Sequence, residues 1–435
     1  MRVTAVGLWA LLSAALLTSQ TPPAPLDARA SDPVALGWMT GTPPSPDKII
    51  RFDDGSWLQF PQLRWSFSNI RQLMPTRAVD RGSGPAAPLP RAERAGIDQV
   101  TFQPFGRAGT MTWAQSLDAN YTDGILILHR GRIVYERYFG VLAASRPHLA
   151  FSVSKSFVAT LAATLLADGA LKADATVGSY VPELRSSGLG DATIRQLLDM
   201  MTGLDYTEDY TDTKSSAYDL SRAGGFLARP PGYRGPESFF DYLKSVKKSG
   251  AHGQTFSYKT VNTDALAAVL RRATGKALTD LLSERIFSRL GAEQDAFFTV
   301  DPTGVEFAGA GLNLTLRDLA RFGELMRLDG RFHGQQIVPK AAVDDIRKGG
   351  DRALFAQAGY KTLPGWSYRT MWWVTHNEHG AFTARGVHGQ AIYIDPTAEM
   401  VIARFASHPL AANVNLDPTS LPAYDAVARF LVGVK

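Results

Sequence analysis

The chain has 435 residues, 45% of them hydrophobic, and a formal charge of +5 from 46 basic and 41 acidic side chains. This supplies ample apolar material for a large core, while the interspersed charges do not form the one-sided basic face of a nucleic-acid binder. With no cysteine, disulfides, thiolate catalysis and cysteine metal sites are excluded.

Arg2 precedes the apolar stretch Val6 to Leu17, which suits a signal h-region and is too short for a comfortable membrane span. Small-x-small sites follow at Ser13-Ala14-Ala15 and Ala28-Arg29-Ala30. A signal peptide is predicted over 1–30, with export to the periplasm or beyond; an uncleaved anchor is the alternative. No stable membrane span is expected after signal removal. Residues 20 to 47 read as an extended Pro/Ala/Ser lead-in, Ile49 to Leu73 as an aromatic-rich surface-packing stretch, and 80 to 95 as a linker. Together 31–100 form an N-terminal extension packing on the core.

Two β-type runs, Gly124 to His129 and Arg132 to Tyr138, predict a hairpin around Arg130-Gly131. From Phe151 to Leu171 the apolar positions Phe157, Val158, Leu161, Leu165 and Leu166 recur at helical spacing, with Gly169 as a stop signal. Helical patterns continue to about residue 330, at Ile194 to Met201, Thr263 to Thr274, Leu278 to Leu290 and Leu316 to Met326. Strand patterns return at Arg385 to Ile394 and Met400 to Phe405, and a last helix is predicted from Pro422 to Leu431. The fold expected is α+β: an antiparallel sheet built from both ends of a domain spanning 101–435 and flanked by helices, with a mostly helical subdomain inserted over about 172–330.

Ser-x-x-Lys occurs three times, at Ser45, Ser152 and Ser245. Ser45 lies in a proline-rich segment and Ser245 in a polar, lysine-rich one. Only Ser152 opens a long apolar helix, with Lys155 one turn later on the same face. A serine hydroxyl needs an adjacent base, and a lysine serves as one only where burial or neighbouring cations lower its pKa. The helix N-terminus also offers backbone N–H groups to an oxyanion. A helix cap and a surface lysine are the competing readings of this pair. No G-x-S-x-G, H-E-x-x-H, P-loop or G-x-G-x-x-G occurs; His376-Asn377-Glu378-His379 reads as a polar turn between strands.

Phe151-Ser-Val-Ser-Lys-Ser156, Phe256-Ser-Tyr-Lys-Thr-Val-Asn-Thr-Asp264 and Gly386-Val-His-Gly-Gln390 resemble the three ordered motifs of serine β-lactamases and penicillin-binding proteins. Gly37 to Gly41, Leu204 to Tyr210 and Trp372-Trp373 narrow the resemblance to the class C-like branch that includes 6-aminohexanoate-dimer hydrolases and carboxylesterases. The resemblance implies a β-lactamase/transpeptidase-like fold and hydrolysis of an amide or ester through an acyl-enzyme on Ser152. Lys155 and Tyr258 would share general base and acid work. The N–H groups of Ser152 and Val387 would form an oxyanion hole, and Tyr210 and Trp373 would contact substrate. Thr260 is expected to orient Lys155 through its hydroxyl, and His388 to support the third motif. Neither metal nor cofactor is implied; the partner is a small-molecule amide or ester, and the state a monomer or homodimer. Thr260 replaces the asparagine usual in β-lactamases, and Arg385 stands where a Lys-Thr-Gly lysine is expected, with Arg385 a candidate substitute. β-Lactamase or D-Ala-D-Ala carboxypeptidase activity, and a non-catalytic sensor, are the alternative functions.

Overall fold

The computed structural model describes residues 25–433. The apolar stretch Val6 to Leu17 and the site at Ser13 to Ala15 lie outside the described residues. Seven antiparallel strands form the main sheet: β1 (Thr122–His129), β2 (Arg132–Tyr138), β3 (Ser367–Arg369), β4 (Trp372–Val374), β5 (Phe382–Gly386), β6 (Gln390–Asp395) and β7 (Met400–Ala406). Their order is β3-β4-β5-β6-β7-β1-β2, so the sheet is indeed assembled from both chain ends. The closing pair is β7 with β1, with Val401 opposite Leu128 and Ala403 opposite Leu126. The β1–β2 hairpin turns at Arg130 (φ 53°) and Gly131 (φ 73°), both left-handed, as a two-residue turn matched to strand twist requires.

Four helices matter for the site: α1 (Val153–Ala167), α2 (Val261–Thr274), α3 (Leu316–Arg327) and α4 (Asp417–Val432). Strand β1 sends Leu126 and Leu128 into one core and Ile125 and Ile127 into the other, which explains its unbroken apolar run. On the first side α1 and α3 meet through stacked Phe157 and Phe322, ring centroids 3.7 Å apart. On the second, Tyr424 and Val427 of α4 pack with Trp113. Gly323 lets α3 close on the sheet: a Cβ there would lie 2.6 Å from Val401 and 2.7 Å from Ile392. Helix α3 thus belongs to the sheet layer rather than to the inserted segment that the sequence extended to about 330.

Three other elements differ from expectation. The run Arg385 to Ile394 is two strands, because His388 (φ 61°) and Gly389 (φ 100°) reverse the chain and pair Gly386 with Gln390. The last helix starts at Asp417, before Pro422; the carbonyl of Pro418 that Pro422 cannot use accepts Phe105 N–H at 3.0 Å. Within the helical stretch, Ala296–Thr299 and Leu312–Leu314 are strands of a small four-stranded sheet completed by Thr76–Val79 and His148–Leu149.

The N-terminal segment is held by its own core residues. Trp57, Leu63, Phe67 and Ile70 are buried with α1 and α2 side chains, and buried Arg64 reaches Asp123 of β1 at 3.4 Å. Among the described residues no helix is long and apolar enough to cross a membrane.

Candidate active site

The small sheet positions the proposed nucleophile. Leu149 pairs with Asn313, and Ala150 N–H donates to Leu312 O at 2.8 Å, so Ser152 and Gly309 both leave the same strand pair within a few residues. Phe151, between strand and helix, takes φ 45°, a strained value for a non-glycine residue. The Ser154 hydroxyl holds its carbonyl at 2.5 Å and accepts Leu312 N–H at 3.1 Å. Ser152 occupies the N-cap position of α1 but makes no side-chain cap, which leaves its hydroxyl for other partners.

That partner is Lys155, only 1% exposed, whose Nζ donates to Ser152 Oγ at 3.0 Å and to Gly309 O at 2.7 Å. Burial pulls its pKa down to about 8, against the raising influence of Glu208 and Asp264. Neither carboxylate touches the ammonium. Asp264, buried on α2, meets the same residue, Gly309, accepting from its N–H at 3.4 Å. Its Oδ2 has no partner among the described residues, and burial pushes its pKa up to about 7.

Tyr258 sits just before α2, fixed where Ser257 N–H donates to Met200 O at 2.9 Å. Its ring lies under Lys155, Nζ to centroid 5.1 Å, and stacks on Trp373 at 5.6 Å. Burial first, then the Glu208 charge, push the phenol well above its usual pKa, partly offset by the neighbouring Ser152 hydroxyl. Lys259 turns away, donating to Thr202 O at 3.0 Å.

Gly386 brings the third motif against the first. A Cβ at Gly386 would lie 2.6 Å from Ala150 O, a contact only glycine permits. Ser152 and Val387 then line the same cavity, and among the described residues neither N–H has a protein acceptor. His388 acts one step back: its Nδ1 pairs with His408 O at 2.7 Å, its ring packs 5.2 Å from Phe67, and burial lowers its pKa to about 4, so it stays neutral.

Two expectations are corrected. Thr260 does not orient Lys155: its N–H and hydroxyl both donate to Glu208, at 2.5 and 2.6 Å, and the Gly309 carbonyl holds the lysine instead. Arg385 is not a free cation, since it is paired with Asp417 and its guanidinium lies 5.4 Å from the Trp373 ring centroid. Tyr210 and Trp373 do line the cavity beside Ser152, and the Tyr210 hydroxyl donates to Glu208 at 2.6 Å. Sequence reasoning missed Glu208, Asp264 and Gly309 as a group. A carboxylate entering the apolar run Ala265 to Leu270 was the available signal for Asp264; the Gly309 carbonyl left none, because its role is carried by the backbone.

A family model described as Beta-lactamase matches residues 114–419. The chain belongs to the beta-lactamase family. Within that family it is 34% identical over 357 residues to a 6-aminohexanoate-dimer hydrolase of Paenarthrobacter ureafaciens, covering 81% of this chain and 88% of the relative. It is also similar to the structure named as a putative 6-aminohexanoate-dimer hydrolase from Bacillus anthracis, at 33% identity and TM-score 0.81, over 90% of this chain and all of that one. Esterase EstB of Burkholderia gladioli is 31% identical over 198 residues, 41% of this chain and 47% of its own. This beta-lactamase-family chain is accordingly a hydrolase.

Proposed function

We propose that the protein is an exported hydrolase that cleaves an amide or ester through an acyl-enzyme on Ser152. The observation that carries this reading is the Lys155–Ser152 contact: a buried lysine 3.0 Å from the hydroxyl, with neutral partners and a pKa lowered to about 8. At pH 7 about a tenth of such a lysine is the free base. Neutral Lys155 takes the proton as Ser152 Oγ bonds to the carbonyl carbon, and the N–H groups of Ser152 and Val387 receive the oxyanion. The bond to nitrogen or oxygen then breaks, and the proton leaves Lys155 through Tyr258 to the departing atom. Tyr258, with its pKa raised, relays a proton rather than storing charge. Water repeats the sequence: its oxygen bonds to the acyl carbon, its proton passes to Lys155, and Ser152 Oγ recovers a proton as the acid leaves.

The pairing of Arg385 with Asp417 argues against a β-lactam carboxylate as the preferred anchor. Three side chains aligned for chemistry argue against a binding-only sensor. Export rests on Val6 to Leu17 and is tested by an N-terminally shortened product in the periplasm or medium.

Ser152→Ala is the test of the site. Hydrolysis of a chromogenic ester should fall by at least about 10³-fold, and a fluorophosphonate should label Ser152 in the wild type alone. Hydrolysis by the variant at the wild-type rate would sink the reading.

A further inference from the structure

Two cavities meet at Ser152, and they differ in size, wall chemistry and access to the proton donor. The smaller, about 100 Å³, and the larger, about 610 Å³, share Ser152, Glu208, Tyr210 and Val387. Tyr258 lines only the larger one. On the acyl-enzyme reading above, the departing atom must sit beside Tyr258, because that hydroxyl delivers its proton. The leaving group therefore occupies the larger cavity, and the acyl group the smaller.

The smaller cavity has an apolar, rigid wall of Leu58, Phe151, Phe226, Leu227 and Phe307. Phe226 is braced edge-on by Trp57 at 5.3 Å and by Phe307 at 5.0 Å, and Phe307 stacks on Phe239 at 4.7 Å. Each polar side chain of the wall already bonds within the protein. Tyr218 donates to Tyr210 O at 3.0 Å and Ser221 to Ala217 O at 2.8 Å; Thr260 and Tyr210 occupy Glu208, and His388 bonds His408 O. Glu208, the acidic side chain of this wall, lines both cavities and so lies where they meet. An ammonium carried on the far end of an acyl chain would be stripped of water with no carboxylate placed there to pair with it. An apolar cavity of about 150 Å³ holds one benzene, so about 100 Å³ holds an acyl tail of about four carbons.

We propose that the cavity walled by Leu58, Phe226 and Leu227 selects a short, uncharged acyl group, while the larger cavity beside Tyr258 accepts leaving groups of varied size. Leu58 then sets the length limit from a segment that precedes the family-matched residues 114–419. The acyl half of the preferred substrate is thus unlike a 6-aminohexanoyl group.

The test is a matrix of kcat/KM values for the purified full chain. The acyl series is p-nitrophenyl acetate, butyrate, octanoate and 6-aminohexanoate; the leaving-group series is butyrate esters of p-nitrophenol, 4-methylumbelliferone and naphthol. Butyrate should exceed octanoate and 6-aminohexanoate by about tenfold or more, while the three butyrates should agree within about threefold after correction for leaving-group pKa. Leu58→Ala and Leu227→Ala should each raise the octanoate-to-butyrate ratio about fivefold. Octanoate or 6-aminohexanoate turned over as well as butyrate, or ratios unmoved in both variants, would overturn the acyl selection while leaving the Ser152 chemistry standing. Hydrolysis that persists in Ser152→Ala would overturn the acyl-enzyme reading itself, and the selection with it.

Discussion

Two of the buried cations, Arg64 and Lys155, sit under opposite conditions. Arg64 is surrounded by partners: Asp123 at 3.4 Å, the hydroxyls of Ser31 at 2.9 Å and Ser407 at 3.3 Å, and the carbonyl of Ala28. Asp123 is itself satisfied by Ser407 at 2.8 Å and His148 at 3.2 Å. Lys155 has only a hydroxyl and a carbonyl, and its carboxylates stand off. A buried charge with a complete set of partners is a fastening; one denied them surrenders its proton readily. The first ties the N-terminal segment to β1, and the second leaves a base beside Ser152.

The sharpest way to break this contrast is to remove each cation in turn. Lys155→Met should lose at least about 10³-fold in kcat/KM while unfolding within about 1 kcal/mol of the wild type. Burial penalises the protonated form of Lys155, and that cost offsets the hydrogen bonds lost. That cost fades as pH rises from about 8 toward 10.5, so the lysine's contribution to stability increases over that window. Arg64→Met should do the reverse, lowering denaturant stability by about 3–5 kcal/mol with kcat per folded molecule retained.

Tyr258→Phe keeps the ring over Lys155 but removes the relay. Its kcat should drop about 10²- to 10⁴-fold, most for substrates with poor leaving groups. Gly309→Ala places a Cβ 2.4 Å from Thr260 Cγ2 and 3.1 Å from Asp264 Oδ2, so the carbonyl holding Lys155 must shift. A fall of about 10- to 100-fold in kcat is expected, and an unchanged kcat would show that the carbonyl does not aim the lysine. The smallest effect is expected from Asp264→Asn. The Asp264 charge raises the lysine's pKa, so its removal should move the acidic limb of the kcat/KM profile below about 8. A limb moved upward would reverse the assigned sign.

Much of this was legible in the sequence, for identifiable reasons. The β1–β2 hairpin and α1 announce themselves locally, through Arg130-Gly131 and through apolar spacing ahead of Gly169. The strands Ala296–Thr299 and Leu312–Leu314 did not, because they are short and draw their pairing partly from Thr76–Val79 and His148–Leu149, far away in the chain. The spacing of Ser152 and Lys155 gave their contact, since one helix turn fixes it. Thr260 was misassigned because its neighbour in sequence, Tyr258, faces Lys155, whereas its own donors meet Glu208 from another loop. Gly309 acts through its backbone, which no side-chain pattern records.

The most direct test of Lys155 as the base for Ser152 is the pH dependence of fluorophosphonate labelling at Ser152, in the wild type and in Lys155→Met. A buried, deprotonating lysine predicts a labelling rate that rises with pH through a midpoint near 8 in the wild type and stays slow at every pH in the variant. A wild-type rate flat from pH 6 to 9, or a variant that labels as fast, would contradict it.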